Sequence, residues 1–276
     1  MGKATLLDIA KAVNVSKTTV SMVLNNKEIK ITDVKKVNKK RYSKPLYDLT
    51  ELQRDANKRY GFSAKETLSI IQKLYEHHKV LTYPRTDSRY LTTDIVDTLK
   101  DRIKAVNVSD YSRVCTKLLK TDIKGNKSFV DNSKVSDHHA IILTEERVFL
   151  GDLSDKERKL YDLVVKRFLS VMLPPFEYVQ TTIEAKVNEE RFIAKGKVVV
   201  SKGWKKLYDK IEEDSFEEDI KEQILPNVNK GDKFIIENVS LNRGETKPPL
   251  RFNEGTLLSA MENPHKYINV GKEAAK

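Results

Sequence analysis

The chain has 276 residues, of which 39% are hydrophobic and 33% are charged, enough apolar material for a folded core and for one to three domains. Lysine and arginine outnumber the acidic residues by 51 to 40, and the net charge of +11 favours a polyanionic partner. The single cysteine, Cys115, excludes an intrachain disulfide. Without a membrane-spanning or signal-peptide apolar run, the sequence predicts a cytoplasmic protein that does not bind membranes.

The N-terminal segment predicts two short helices. Residues 5–26, TLLDIAKAVNVSKTTVSMVLNN, carry apolar residues at helical spacing, and Ser16 is placed to cap the second helix. The second helix would leave Lys17, Thr18, Thr19 and Met22 facing outward. We assign residues 1–28 to this helical element.

A basic stretch follows the predicted helices. From Lys30 to Lys44 the chain has seven lysine or arginine residues and one acid. We interpret residues 29–44 as a basic linker or an edge strand. A contact with a phosphate backbone is the functional alternative to a solvated connector.

The middle of the chain is predicted to be helical and the part after Pro175 to be a sheet. Ser-x-x-Glu capping boxes begin at Ser63 and Ser154, and an apolar stripe follows each of them. After Pro174-Pro175 the apolar period changes to two over residues 178–187, which predicts a strand there, and further strands are predicted over 191–200 and 233–241. The predicted fold class is therefore α+β and multidomain, with a largely antiparallel sheet over residues 176–241.

One short segment combines groups that suit chemistry on a phosphodiester. In VLTYPRTDSRYL, residues 80–91, Pro84 pushes Tyr83 toward extended backbone, where residues 83, 85 and 87 share a face. Tyrosine can act as a covalent nucleophile, and arginine can hold phosphate oxygens. A phenol titrates near pH ~10, so attack at neutral pH needs help from outside this triplet. Taken alone, the spacing favours a Tyr-Pro turn beside a surface Arg85–Asp87 pair over a reactive tyrosine.

Five segments in order resemble the type IA DNA topoisomerases, most closely the topoisomerase III branch, over about residues 30–276. The segments are LYDLTELQRDANKRYGFSAKETLSIIQKLYE (46–76), LTYPRTDSRYL (81–91), SDHHAIILT (136–144), LPNVNKGD (225–232) and TKPPLRFNEGTLLSAMENP (246–264). The resemblance implies a tyrosine-bearing domain at 45–148, a β-rich arch domain at 149–245 and the start of a return to the DNA-gripping domain at 246–276.

The resemblance also implies roles for particular residues. Tyr83 would form a reversible 5′-phosphotyrosyl link to single-stranded DNA without ATP, and Arg85 would position the scissile phosphate. His138 would be the active-site histidine, helped into place by Asp87. Basic residues of the last segment would contact the DNA backbone, namely Lys247 and Arg251.

The sequence departs from the family pattern in several respects. The family's Toprim domain, which supplies the Mg²⁺ ligands, has no recognisable equivalent, so we expect no metal ligands in this chain and impaired cleavage by the chain alone. The acidic run at residues 212–219 is interpreted as a solvated loop or helix face. Leu143 stands where the family usually has proline.

The N-terminal segment carries a second resemblance. DIAKAVNVSKTTVSMVLNN is similar to part of the helix-turn-helix of lac repressor-type regulators, over about residues 4–26. Such a helix would place Lys17, Thr18 and Met22 in the major groove of duplex DNA, with Thr19 near phosphates. The alternatives are a small helical cap without an operator, or a non-catalytic DNA-binding regulator in place of an enzyme.

Overall fold

The computed structural model describes residues 28–187, 190–208, 222–237, 244–246 and 248–264. The chain divides into two compact units. The described residues within 1–40, 177–201 and 216–249 form what we call the sheet unit, and those within 41–176, 202–215 and 250–276 form the helical unit. The predicted N-terminal helices over residues 5–26, the acidic run and Lys247 lie outside the described residues.

The helical unit contains six α-helices among its described residues, connected by short 3₁₀ turns. They are α1 (Leu49–Tyr60), α2 (Ala64–Glu76), α3 (Leu99–Ala105), α4 (Ser112–Leu119), α5 (Asp155–Ser170) and α6 (Glu254–Glu262). Helix α1 packs against α2 and α6, and α2 packs against α5. The core between them buries large side chains almost completely, including Tyr47, Phe129, Tyr161 and Phe168.

The two predicted capping boxes have different outcomes. At α5, Ser154 and Glu157 exchange both capping hydrogen bonds, as predicted. At α2, the Ser63 side chain accepts from the Glu66 N–H, but the Glu66 carboxylate binds Lys156 of α5 instead of turning back. At α2, an ion pair between two helices therefore replaces the hydrogen bond that the Glu66 side chain would make in a complete capping box.

The segment that contains α6 is anchored on the first two helices. The Glu254 carboxylate accepts from the backbone N–H of Ala64 at 2.6 Å, at the N-terminus of α2. Arg54 of α1 forms an ion pair with Glu262 at 2.7 Å. These contacts hold residues 254–262 against the helices that precede Tyr83.

The sheet unit is a four-stranded sheet in the order β3-β2-β1-β4. Its strands are β1 (Glu28–Arg41), β2 (Phe176–Val187), β3 (Glu190–Ser201) and β4 (Lys233–Ile235). Strands β2 and β3 form an antiparallel hairpin, and β1 pairs antiparallel with β4. Of the strand predicted over 233–241, only 233–235 is observed, and residues 238–243 are not described.

Two predicted boundaries differ from the structure. The segment predicted as a linker or edge strand forms β1, which lies between β2 and β4 in the sheet. Ile29 and Ile31 supply its apolar face, which is hard to recognise in the sequence because lysines surround these two residues. The predicted arch domain began at residue 149, but α5 belongs to the helical unit, because its apolar stripe completes that unit's core.

Among the described residues, no helix has both the length and the apolar character that crossing a membrane requires.

Candidate active site

The segment that carries Tyr83 is extended and bound to its neighbours on several sides. The Thr82 N–H donates to the Ile142 carbonyl at 2.9 Å, and the Ala140 N–H donates to the Tyr90 carbonyl at 3.0 Å. Leu81 forms an isolated antiparallel bridge with Leu143. The segment is therefore held without belonging to a regular sheet.

Side chains along this segment alternate between the core and the solvent. Pro84, Thr86 and Ser88 are buried, whereas Arg85 and Asp87 are exposed. Tyr83, on the same side of the alternation, is half-buried. This pattern is the one that extended backbone produces, and it leaves the guanidinium and the carboxylate open to a ligand.

The Tyr83 ring contacts two other rings. The His138 imidazole is tilted by 40° against it, with ring centroids 4.3 Å apart. Tyr75, from the last turn of α2, packs edge-on with centroids 5.6 Å apart. Both arrangements are favourable aromatic geometries and restrict the side-chain rotation of Tyr83. The phenol is thereby held in place while its segment remains accessible.

Thr86 positions His138 through the backbone. The Thr86 hydroxyl donates to the His138 carbonyl at 2.9 Å and accepts from the Ser88 N–H at 3.1 Å. Within the described part of the chain, Asp87 forms no hydrogen bond or ion pair with His138, so the role of Asp87 stays a prediction. His138 itself is exposed.

The neighbouring histidine has a different environment. His139 is half-buried, and its Nδ1 lies 2.8 Å from the Ala140 carbonyl. Burial lowers the pKa of His139 below the usual value for histidine. Of the two histidines in the motif, His138 is the one whose ring packs on Tyr83.

The N-terminus of α1 anchors the other end of the segment. The Leu49 N–H donates to the Thr86 carbonyl at 3.0 Å. Arg89 binds the buried Asp48 at 2.6 Å and Glu51 at 3.3 Å, while Asp48 also caps α1 through the Glu51 N–H. The Asp48 carboxylate thus binds both the N-terminus of α1 and Arg89, near the end of the Tyr83 segment.

The turn between α2 and the Tyr83 segment contains the one non-glycine residue with positive φ among the described residues. Lys79 has φ of 57°, in the left-handed region. Its carbonyl accepts from the Thr144 hydroxyl at 2.6 Å, which fixes the turn against the histidine segment. This conformation sends the chain directly from α2 into Val80 and brings Tyr75 next to Tyr83.

Leu143 stands where the family usually has proline, and the backbone pairing beside Tyr83 is compatible with either residue. The hydrogen bonds that flank the Leu81–Leu143 bridge use the N–H groups of Thr82 and Thr144. The N–H of Leu143 takes no part in them, so this ladder has no need of the donor that proline lacks.

The structure brings some of the predicted site residues together and leaves others apart. Tyr83 and His138 are in contact, whereas Arg85 and Asp87 lie on the same segment with exposed side chains. Arg251 is exposed in the helical unit. The remaining predicted DNA contacts lie outside the described residues, namely Lys17, Thr18, Thr19, Met22 and Lys247.

Sequence reasoning missed two residues of the site. The sequence patterns singled out neither Tyr75, at the end of α2, nor Thr86. The short turn from α2 into an extended segment was a signal for Tyr75, because it brings the end of the helix next to the residues that follow. Nothing local indicated that Thr86 contacts the backbone of His138, since that contact spans distant parts of the chain.

Among the described residues, no group of three histidine, cysteine, aspartate or glutamate side chains could hold a metal ion.

The comparison with protein families identifies the family of this chain. The family model described as DNA topoisomerase matches residues 8–276, and the chain belongs to this family. The relatives below, named DNA topoisomerase 3, support the resemblance to the type IA enzymes. The family match includes most of the segment that resembles a helix-turn-helix, whose assignment to the lac repressor type stays a prediction.

Curated relatives specify the branch. The chain is 59% identical to DNA topoisomerase 3 from Bacillus licheniformis and 56% identical to DNA topoisomerase 3 from Bacillus subtilis, in each case over 89% of this chain and 34% of the relative. The chain thus spans about a third of the length of these relatives. Full-length topoisomerase I from Thermotoga maritima shares the fold, with a TM-score of 0.61 and 24% identity over 86% of this chain and 37% of that one.

Proposed function

We propose that this chain carries the tyrosine-bearing part of a type IA DNA topoisomerase and acts on single-stranded DNA through Tyr83. The observation that carries the proposal is the contact of the Tyr83 ring with both Tyr75 and His138, two residues from the exposed Arg85. Family membership supports it. These contacts reduce the rotational freedom that the phenol would lose on reaction, which is the advantage of a positioned nucleophile.

The proposed step is a transesterification. The Tyr83 Oη loses its proton to the surrounding solvent and forms a bond to the phosphorus, the bond from phosphorus to O3′ breaks, and the leaving 3′ oxygen takes up a proton. Arg85 binds the non-bridging oxygens, where transition-state charge develops. Reversal of the same step reseals the strand, because the phosphotyrosyl ester preserves the bond that was exchanged.

His138 and Asp87 have supporting roles in this proposal. His138, stacked on Tyr83, offers an imidazole beside the reacting phosphate. Asp87, exposed two residues beyond Arg85, would orient the arginine or the histidine once DNA is bound. Mg²⁺ would supply further charge stabilisation from ligands outside the described residues, and we expect weak cleavage by the chain alone.

Adduct formation tests the proposal. The 276-residue chain is incubated with a 3′-end-labelled single-stranded oligonucleotide and Mg²⁺, with and without a separately made Toprim domain, and is then denatured. We expect a labelled protein band that needs Tyr83 and disappears in Tyr83→Phe. The matched control Tyr90→Phe, on the same segment, should keep it. A band that survives in Tyr83→Phe, or no band under either condition, would contradict the proposal.

A further DNA contact is proposed from the N-terminal sequence. Residues 8–26 would bind duplex DNA through Lys17 and Thr18, with Thr19 and Met22 beside them, while Lys247 and Arg251 would contact the single strand. Nuclease footprinting on duplex DNA tests the first part: a footprint that is unchanged in the Lys17→Ala/Thr18→Ala variant would exclude it. With DNA as substrate, the expected location is the nucleoid of a bacterial cytoplasm.

A further inference from the structure

The helical unit contains a recess that shares no lining residue with the Tyr83 cluster. It has a volume of about 660 Å³ and is lined by residues from 42–44, 117–129 and 171–175. We call it the lysine groove. Its volume falls within the range of about 300–1,000 Å³ that is usual for ligand pockets. All of its lining residues belong to one unit, so its shape does not depend on the placement of the sheet unit.

The floor of the lysine groove is apolar. Leu118 and Phe129 are 4% and 1% exposed, and the turn that ends in Pro174 and Pro175 closes one side. An apolar floor of this kind suits the flat face of an aromatic ligand, because burial of that face releases water from both surfaces.

Three lysines line the groove. Lys117 is exposed, and its side chain forms no hydrogen bond or ion pair with any other described residue. Lys124 lies 3.7 Å from Asp122, but both side chains are more than three-quarters exposed, so this pair is weak. Lys44 lies 3.6 Å from Glu51. Asp122 is the one acid among the described lining residues, so the groove carries a net positive charge.

An exposed aromatic ring completes the groove. Tyr42 is 69% exposed, which is unusual for so large a ring, and it lines the groove beside Lys44. Lysines next to a free aromatic face are the combination by which proteins bind single-stranded nucleic acid, since the lysines contact phosphates and the ring stacks on a base. Duplex DNA keeps its bases stacked inside the helix and could use only the lysines.

We propose that the lysine groove binds a segment of single-stranded DNA, with phosphates on Lys117 and Lys124 and a base stacked on Tyr42. The inference rests on the proposed function in that it takes DNA as the substrate. It adds a contact site that would hold the strand at a place other than the reacting phosphate.

The experiment measures binding of a fluorescein-labelled twelve-residue oligothymidylate by the whole 276-residue chain, using anisotropy at several salt concentrations. Two phosphate contacts are lost in Lys117→Ala/Lys124→Ala, so the slope of log affinity against log salt should become shallower by about 1.4. The matched variant Lys65→Ala/Lys100→Ala removes two exposed lysines of the helical unit outside the groove and should leave the slope nearly unchanged.

The aromatic contact is tested separately. Tyr42→Ala should weaken binding by about 5-fold or more, whereas Tyr42→Phe keeps the ring and should bind like the original chain. An oligonucleotide carrying 5-iododeoxyuridine should photo-cross-link to Tyr42. Thermal melting of each variant confirms that it is folded, and all the substituted side chains are exposed.

The outcomes separate this inference from the proposed function. No binding of single-stranded DNA by the original chain would contradict both. Binding that the two double-lysine variants reduce equally, or cross-links that map only around Tyr83, would overturn the groove and leave the tyrosine proposal standing. Equal competition by a duplex of the same length would overturn the stacking role of Tyr42.

Discussion

Replacing Arg167 by methionine should destabilise the helical unit strongly, because it leaves a buried carboxylate without its partner. The Arg167 guanidinium binds Asp55 at 2.7 Å, the Pro45 carbonyl at 2.9 Å and the Tyr47 hydroxyl at 3.0 Å. The side chains of Arg167 and Asp55 are 3% and 10% exposed. The guanidinium also lies over the Tyr47 ring, 4.0 Å from its centroid. The same contacts hold the chain where it enters α1.

The magnitude follows from this burial. Loss of one partner of a buried ion pair typically costs about 3–5 kcal/mol, compared with a total stability of about 5–15 kcal/mol for a domain. Burial alone would raise the pKa of Asp55, but Arg167 and Lys44 keep it below its usual range. Once Arg167 is removed, the pKa of Asp55 should rise. Adding Asp55→Asn should therefore recover much of the loss, because it removes the stranded charge.

Urea unfolding provides the measurement. The fluorescence of Trp204, the single tryptophan, reports on the helical unit, in which it is buried. The control is Lys104→Met, which breaks the exposed pair with Asp101 and should cost less than about 1 kcal/mol. If Arg167→Met costs no more than this control, or if Asp55→Asn does not restore stability in its background, the reasoning about the buried pair is wrong.

Three further predictions concern the same unit. Lys79→Gly should raise the free energy of unfolding by about 0.5–1 kcal/mol, because glycine adopts the left-handed φ of this position without strain. Lys79→Ala should not raise it, and equal effects of the two substitutions would refute the strain at Lys79. Burial would raise the pKa of Glu157, but Lys73 and Ser154 lower it to about 2. The stability that Glu157 contributes should therefore decline as the pH falls from about 4.5 to 2. In acid unfolding, Glu157→Gln should make this decline smaller, whereas Glu146→Gln, at an exposed position, should leave it unchanged. Gly203→Ala should destabilise by more than about 1 kcal/mol in urea, because a Cβ there meets the Pro175 carbonyl at a φ of 46°; an unchanged midpoint would refute this.

Local sequence patterns determined much of the framework of the candidate site. Pro84 and the alternation after Tyr83 predicted an extended segment with Arg85 and Asp87 on one face, and the burial pattern agrees. Ser63 and Ser154 marked the starts of α2 and α5. These features depend on backbone geometry and hydrogen bonds within a few residues, so they can be read from the sequence alone.

The surroundings of the nucleophile were decided by the tertiary structure. Thr86 contacts the backbone of His138, and Tyr75 contacts Tyr83, only because the chain turns at Lys79 and the histidine segment pairs beside it. Likewise, β1 lies inside the sheet because β2 is its neighbour on one side and β4 on the other. Contacts between distant segments depend on how elements pack, and a local pattern carries no record of which partner a side chain will meet. The sequence therefore determined which residue attacks in our proposal, whereas the fold decided what holds that residue in place.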